Sequence, residues 1–473
     1  MIIPNRGDNT IVMDLVESVS VRQRLARLAQ KIRFEDLSTQ VVHSAKRLIL
    51  DSVACIVPGL SSRPAAAARA MADRLGGACE ATIIGTDRKT SPALAAFTNG
   101  TALRYFDMNA SYGGRDPGKM SEIVPVVLAL GESERRSGRA LIAALVAGCE
   151  VQGRLCEFAG APSMKLRGWH HTCNLQFGAV VAAAHLLTDD PNLLAEALSI
   201  SATHQNTLAQ IQHGHISMIK STADGWVAKG GIEAALLAVN GLTGPDDIFE
   251  GKAGWAASVA GAIDYDGLLA PLNGTYRITD ARFKALAIVG PAQAAAQAAL
   301  DLYEKFPAIA GQVDRIDVLL PEHVISNPAN DSTKRFPNNK ETADHSVYYG
   351  IAVSLIDGEC GEGQYSDAKI NSPIVRALIE KIFLEADPEF SSARSHGGGV
   401  RVLLHDGTVH EQRYSSAPGH PKNPLSDEQL AGKYDRQMKA LYARDRSEAI
   451  KAAIFDLDNV REVSGLTKLL ARP

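Results

Sequence analysis

Four helix-length stretches built from alanine and other small or apolar residues, with almost no polar face, constrain this chain most: IVPVVLAL (123–130), ALIAALVAGCEV (140–151), NLQFGAVVAAAHLL (174–187) and GIEAALLAV (231–239). A helix that is apolar nearly all round needs neighbours on every side, so it belongs in an interior rather than on a surface. Several such helices specify a mainly α core, and their Ala and Gly residues let neighbouring helices approach closely. Helix boundaries are also legible. LSTQVVHSAKRLILDSVACIVPGL (37–60) enters at Ser38/Thr39 and stops at Pro58-Gly59, and TSPALAAFTNGTALRYF (90–106) opens with a cap residue followed by a proline. Within the first 270 residues only ATIIG (81–85) reads as a short strand.

The pattern changes after about residue 275. VDRIDVLL (313–320) alternates in part, as a half-buried strand does, and VRVLLHDGTVHEQRY (400–414) is a hairpin turning at Asp406-Gly407. Helical patterns at 286–306, 344–357 and 374–385 lie between them, making an α+β module. The tail is helical again, with a capping box from Ser426 to Gln429, and its amphipathic face needs a helical surface to bury against. The expected architecture is therefore a large all-α domain, residues 1–272 with 418–473, and a smaller α+β domain, residues 273–417, inserted into it.

Bulk properties narrow the function. A chain of 473 residues, 45% hydrophobic, buries a large core without help from metal or disulfide. The net charge of -4 and 5% aromatic content give neither a basic footprint nor stacking platforms, so nucleic acid is not an expected partner. The six cysteines form no C-x-x-C pair, and most fall in apolar helical patterns, as buried reduced thiols do. The N-terminus, MIIPNRGDNTIVMDLVES, has no basic segment before an apolar run, and no uncharged apolar stretch reaches membrane-spanning length. A soluble, cytoplasmic protein with no membrane partner is expected.

Polar chemistry collects at five places inside apolar surroundings. The loop YFDMNASYGGRDPGKMSE (105–122) carries far more ionisable groups than a helix connection needs. His170-His171-Thr172 precede an apolar helix, which Thr172 or Asn174 would cap; the paired histidines suit a structural role and proton transfer about equally. Lys220 falls between apolar positions, where an ammonium either pairs or snorkels. Lys284 stands at the mouth of an almost uncharged stretch, for a local ion pair or an anion. Asp344-His345-Ser346 open another apolar helix. Together they suit an anionic small substrate: Lys119, Lys220 and Lys284 supply positive charge, His170 or His171 an acid or base, and Asp107 a carboxylate. G-x-S-x-G, G-x-x-x-x-G-K-[ST], a strand-anchored G-x-G-x-x-G and H-E-x-x-H are all missing, so nucleophile-elbow, phosphate-loop, dinucleotide and zincin readings lack support, and no metal site is expected.

These motifs, in order, resemble the MmgE/PrpD family: NGTALRYFDMNASY, PGKMSEIVPVVLAL, RGWHHTCNLQFGAVVAAAHLL, LAVNGLTGPDDIFEG, RFKALAIVGPAQAAAQ, KETADHSVYYGIAVSLIDGE and GHPKNPLSDEQL. The family includes 2-methylcitrate dehydratase, cis-aconitate decarboxylase and iminodisuccinate epimerase, and the ETADHS segment is most similar to the dehydratase branch. The resemblance implies a helical domain with an α+β lid, a cleft between them, a homodimer, and neither metal nor organic cofactor. Asp107, Lys119, His170, Lys220 and Lys284 are the expected catalytic residues, and Asn109, Ser111, Tyr112, His171 and His345 the expected substrate contacts; of these the resemblance itself carries Asp107, Asn109, Ser111, Lys119, His170, Lys220 and Lys284. Lys119 stands where the family has the His of H-P-S, Ala110 replaces a common Asp, and Ala287 replaces the usual Pro of F-K-x-x-P. The implied activity is a hydro-lyase acting on a 2-methylcitrate-like di- or tricarboxylate, with Lys220 and Lys284 holding carboxylates and His170 as acid or base. The alternatives are a decarboxylase or epimerase of a related acid, or a non-catalytic polycarboxylate-binding relative.

Overall fold

The computed structural model describes residues 19–161, 163–327, 330–390 and 396–472. Residues 1–18, on which the reading of the N-terminus rests, lie outside that set. Among the described residues, nine helices of eight or more residues build the first half: α1 (Val21–Gln30), α2 (Thr39–Gly59), α3 (Arg63–Leu75), α4 (Pro92–Arg104), α5 (Ile123–Ser133), α6 (Gly138–Phe158), α7 (Thr172–Leu187), α8 (Pro191–His204) and α9 (Ile219–Val239).

The helices without a polar face are the central ones. Every residue of α4 is buried, as is nearly all of α5 and α7. α7 lies between α6 and α9, and α9 in turn packs on α4. Boundaries follow the local signals. Ser38 caps α2 by accepting from the Val41 amide at 3.4 Å, and Pro58-Gly59 close it. Ser91 and Pro92 open α4. α7 departs from expectation: neither Thr172 nor Asn174 caps it, because the helix begins at Thr172, after His171. The expected strand at 81–85 shrinks to β1 (Ala81–Thr82), paired with β2 (Lys89–Thr90). A second two-strand pairing joins β3 (Ala159–Ala161) to β4 (Ala262–Ile263).

A four-stranded sheet has the order β6-β5-β7-β8, from β5 (Val313–Leu320), β6 (Ile382–Ala386), β7 (Gly398–Leu404) and β8 (Val409–Tyr414). β7 and β8 form the expected antiparallel hairpin, with Gly407 at φ +87° in its turn. α10 (Gln293–Lys305) packs on the sheet, and α11 (Val347–Asp357) packs on α10. The helix expected through 385 ends early. α12 spans Pro373–Glu380, and the chain then enters β6, parallel to β5. The pattern at 286–306 likewise becomes helical only from a short turn at Gly290.

The tail helix α13 (Asp427–Met438) starts with the Ser426–Gln429 capping box and packs against α2. Lys433 ties the two by an ion pair to Asp51 at 2.6 Å, both side chains buried. The same ammonium donates to the Met108 carbonyl at 2.8 Å, so the tail also grips the polar loop that follows α4. Among the described residues no helix is long and apolar enough to cross a membrane.

Candidate active site

The site starts from a close helix crossing. A Cβ at Gly100 of α4 would lie 2.9 Å from the Gly225 Cα of α9, and a Cβ at Gly225 would lie 2.7 Å from the Phe97 carbonyl oxygen. Glycine at both positions lets the backbones touch. The contact aligns what flanks it. Arg104, one turn beyond Gly100, donates from Nε to Asp224 Oδ2 at 3.1 Å. Lys220, one turn before Asp224, lies on the same face of α9. His171, at the entry to α7, places Nε2 3.4 Å from the other Asp224 oxygen.

The loop after α4 supplies the opposing wall. Asp107 adopts φ +49°, a left-handed conformation that an Asp reaches more easily than most residues but that still costs about 1–3 kcal/mol. Cations over-determine it. Arg104 Nη1 bonds Oδ1, Lys119 Nζ lies 3.4 Å from Oδ1, Lys284 Nζ lies 2.8 Å from Oδ2, and Lys284 also donates to the Asp107 carbonyl at 2.5 Å. Burial alone would raise the Asp107 pKa; the charges of Arg104, Lys119 and Lys284 hold it well below the usual carboxylate range. His345 Nε2 stands 4.0 Å from Oδ2. Its Nδ1 bonds Asp344 at 2.5 Å, and Asp344 is paired with Lys340 at 2.8 Å.

Burial sets the other protonation states. His171 is pushed down to about 3 despite Asp224, so its ring is neutral. Burial, then Arg104, lowers Lys220 to about 7. The Lys220 Nζ is buried and has no hydrogen-bond partner among the described residues. Glu122, behind the loop, is raised to about 7 by burial and by Asp224, while accepting from Asn109 and Ser121 at 2.7 Å each.

These groups face a cavity of about 410 Å³, within the usual range for a small-molecule site. Among the described residues, seven Lys and Arg side chains line it (Arg104, Arg115, Lys119, Lys165, Lys220, Arg282, Lys284) against one carboxylate, Asp107. Of the ten residues expected from sequence, Asp107, Ser111, Tyr112, Lys119, His171, Lys220, Lys284 and His345 line this cavity. Asn109 and His170 do not. Asn109 is spent behind the loop on Ser121 and Glu122. His170 is fully buried, its Nδ1 3.2 Å from the Thr172 hydroxyl and its ring 3.8 Å from that of His171. Sequence reasoning missed Arg104, Asp224 and Arg282. The i, i+4 spacing of Lys220 and Asp224 in a helix otherwise rich in Gly and Ala was the available signal for Asp224. No group of three or more His, Cys, Asp or Glu among the described residues could hold a metal ion.

The MmgE/PrpD N-terminal domain matches residues 23–267, and the MmgE/PrpD C-terminal domain matches residues 287–459. The chain belongs to the MmgE/PrpD family. Within this family it is similar to the cis-aconitate decarboxylase of Homo sapiens, 28% identical over 96% of this chain and 95% of that protein. The 2-methylcitrate dehydratase of Cupriavidus necator is 25% identical over 90% of this chain and 91% of its own length. The mitochondrial 2-methylcitrate dehydratase of Yarrowia lipolytica is 24% identical over 88% and 84%. Relatives with both activities thus span nearly the whole MmgE/PrpD chain, and they support a lyase of citrate-like acids.

Proposed function

We propose that this protein is a cofactor-independent hydro-lyase of a 2-methylcitrate-like hydroxy di- or tricarboxylate. The observation that carries the reading is Lys220, a buried amine without a hydrogen-bond partner among the described residues, in a cavity that six other described Lys and Arg side chains line. A polyanion is what such a cavity is charged to receive. Its carboxylates also alter the site. Negative charge beside Lys220 and His171 raises both from the values that burial imposes.

In this reading Lys119 and Lys284 hold carboxylates, with Asp107 keeping the two ammonium groups apart and oriented. His171 takes the proton from the carbon next to a carboxylate, and Asp224 stabilises the imidazolium that forms. The electron pair left on carbon moves into the new double bond as the C–O bond breaks. The departing hydroxide takes the Lys220 proton and leaves as water. Lys220 thus passes from the carboxylate-holding role expected from sequence to that of the acid, and His171 replaces His170 as the base. Residues 273–417 act as a lid that carries Lys284 and His345 to the cavity.

One finding favours a second reading, decarboxylation. The human cis-aconitate decarboxylase matches over 96% of this chain at 28% identity, above the two dehydratases. There the bond to a carboxylate breaks, carbon dioxide leaves, and Lys220 protonates the carbon that keeps the electrons. Incubation with 2-methylcitrate, citrate and cis-aconitate, following alkene absorbance and released carbon dioxide, separates the two. Absorbance rising on 2-methylcitrate without gas supports the hydro-lyase, gas from cis-aconitate supports the decarboxylase, and no turnover of any of the three overturns both.

A further inference from the structure

Arg282 is a charged group that the proposed chemistry leaves unused. It lines the cavity, yet no carboxylate pairs with it among the described residues. Nη1 donates to His396 Nε2, while the buried Nε has no partner among the described residues. Burial lowers its pKa to about 10, with only partial compensation from Tyr112 and Asp280. A guanidinium in such surroundings is costly unless an anion visits it.

The surroundings are built to hold it there. The Arg282 amide donates to the Ser111 carbonyl at 2.7 Å, and the Ser111 amide returns the bond at 2.9 Å, locking Arg282 to the catalytic loop. A Cβ at Gly113 would overlap the guanidinium, so glycine there leaves its place open. The turn carrying His420 is fixed by the Phe283 amide, which donates to the Gly419 carbonyl at 3.0 Å. Gly419 needs its φ of +87°, and a Cβ would run into the Phe283 carbonyl. The His396 and His420 rings lie tilted to each other with centroids 5.5 Å apart, and both line the cavity. Burial, Arg282 and Lys422 push His420 down to about 4, so it adds hydrogen-bonding capacity without charge.

Arg282 and Lys284 are two residues apart on one segment. In extended backbone such residues share a face about 6–7 Å apart, the span of a short carbon chain bearing carboxylates at both ends. We propose that Arg282, with His396 and His420, forms a second carboxylate subsite, which takes the carboxylate remote from the reacting carbons and selects tricarboxylates over dicarboxylates. Nε, unpartnered among the described residues, and the neighbouring Nη2 make the fork that a carboxylate fits with two hydrogen bonds. This inference rests on the reading of the cavity as a polycarboxylate site.

Titration calorimetry of the full chain with two unreactive acids tests it: propane-1,2,3-tricarboxylate, and methylsuccinate, which lacks one terminal carboxylate. The wild type is expected to prefer the tricarboxylate at least tenfold. In Arg282→Gln that preference falls to within twofold, with methylsuccinate affinity changed less than threefold, which also reports an intact fold. Arg282→Lys keeps the charge without the fork and loses at least threefold of the preference, a result that stands even if the Gln variant does not fold. An unchanged preference in the variants, or equal weakening of both acids, overturns the subsite. So does a wild type that binds both acids equally, which leaves the polycarboxylate reading intact. A wild type that binds neither acid overturns that reading along with the subsite.

Discussion

Lys220 carries its charge against its surroundings, and removing that charge has two opposite effects. Lys220→Met is expected to lower kcat by at least 100-fold, the scale of a lost general acid. The same change is expected to stabilise the fold by about 1–3 kcal/mol, since a buried donor without a partner disappears; a higher melting temperature measures it. The sign with pH follows. The amine's pKa in the fold, about 7, is below its unfolded value, so the penalty is full below pH 7 and fades as pH rises toward about 10.4. Stabilisation by Met is thus greatest below pH 7. For the wild type, kcat/KM should fall as pH rises through about 7 and the free enzyme loses the ammonium. A limb rising there would assign the neutral amine as a base. Residues such as Lys220 and Asp107 were legible because a charge in an apolar pattern stands out. His170 and His171 were not distinguishable, because which of two adjacent rings faces the cavity depends on α7 starting at Thr172. Arg104 and Asp224 escaped because their pairing joins two helices far apart in sequence, which spacing along the chain does not show.

Among elements, the α4–α9 crossing sets the site's dimensions. Gly225→Ala puts a methyl against the Phe97 carbonyl and the Thr101 amide, which must give way. Overpacking of this kind costs about 1–3 kcal/mol, measurable by denaturant unfolding. Activity should fall further than stability, because the same shift parts Arg104 from Asp224. Helices with a strong local pattern were legible, and β6 was not. Ile374, Val375, Leu378, Ile379, Ile382 and Phe383 keep helical spacing throughout, so periodicity gives no reason to stop at Glu380. What stops the helix is the vacant edge of β5, a partner about sixty residues away in sequence. Tertiary pairing of that kind overrides local propensity.

At the scale of the whole molecule, the tail is part of the site's foundation. Lys433→Met leaves the Asp51 carboxylate buried without its ammonium and releases the Met108 carbonyl. Breaking a buried pair from one side costs about 3–5 kcal/mol, so a large drop in the denaturation midpoint is expected. Adding Asp51→Asn should recover part of it, which a double-mutant cycle measures as coupling. The change from helical to α+β character near residue 275 was visible in the pattern. The placement of the tail on α2 was argued from its amphipathic face alone, and the Lys433 contact with the loop had no signal in spacing.

That contact also bears on synthesis. A chain emerging from the ribosome has made Asp107, Lys119, His171, Lys220, Lys284 and His345 well before residue 433 appears. Until it does, nothing from α13 holds the Met108 carbonyl beside the left-handed Asp107. A chain cut short of α13 is therefore expected to lack this support behind the Asp107 loop, and a polycarboxylate should bind it more weakly than it binds the full chain.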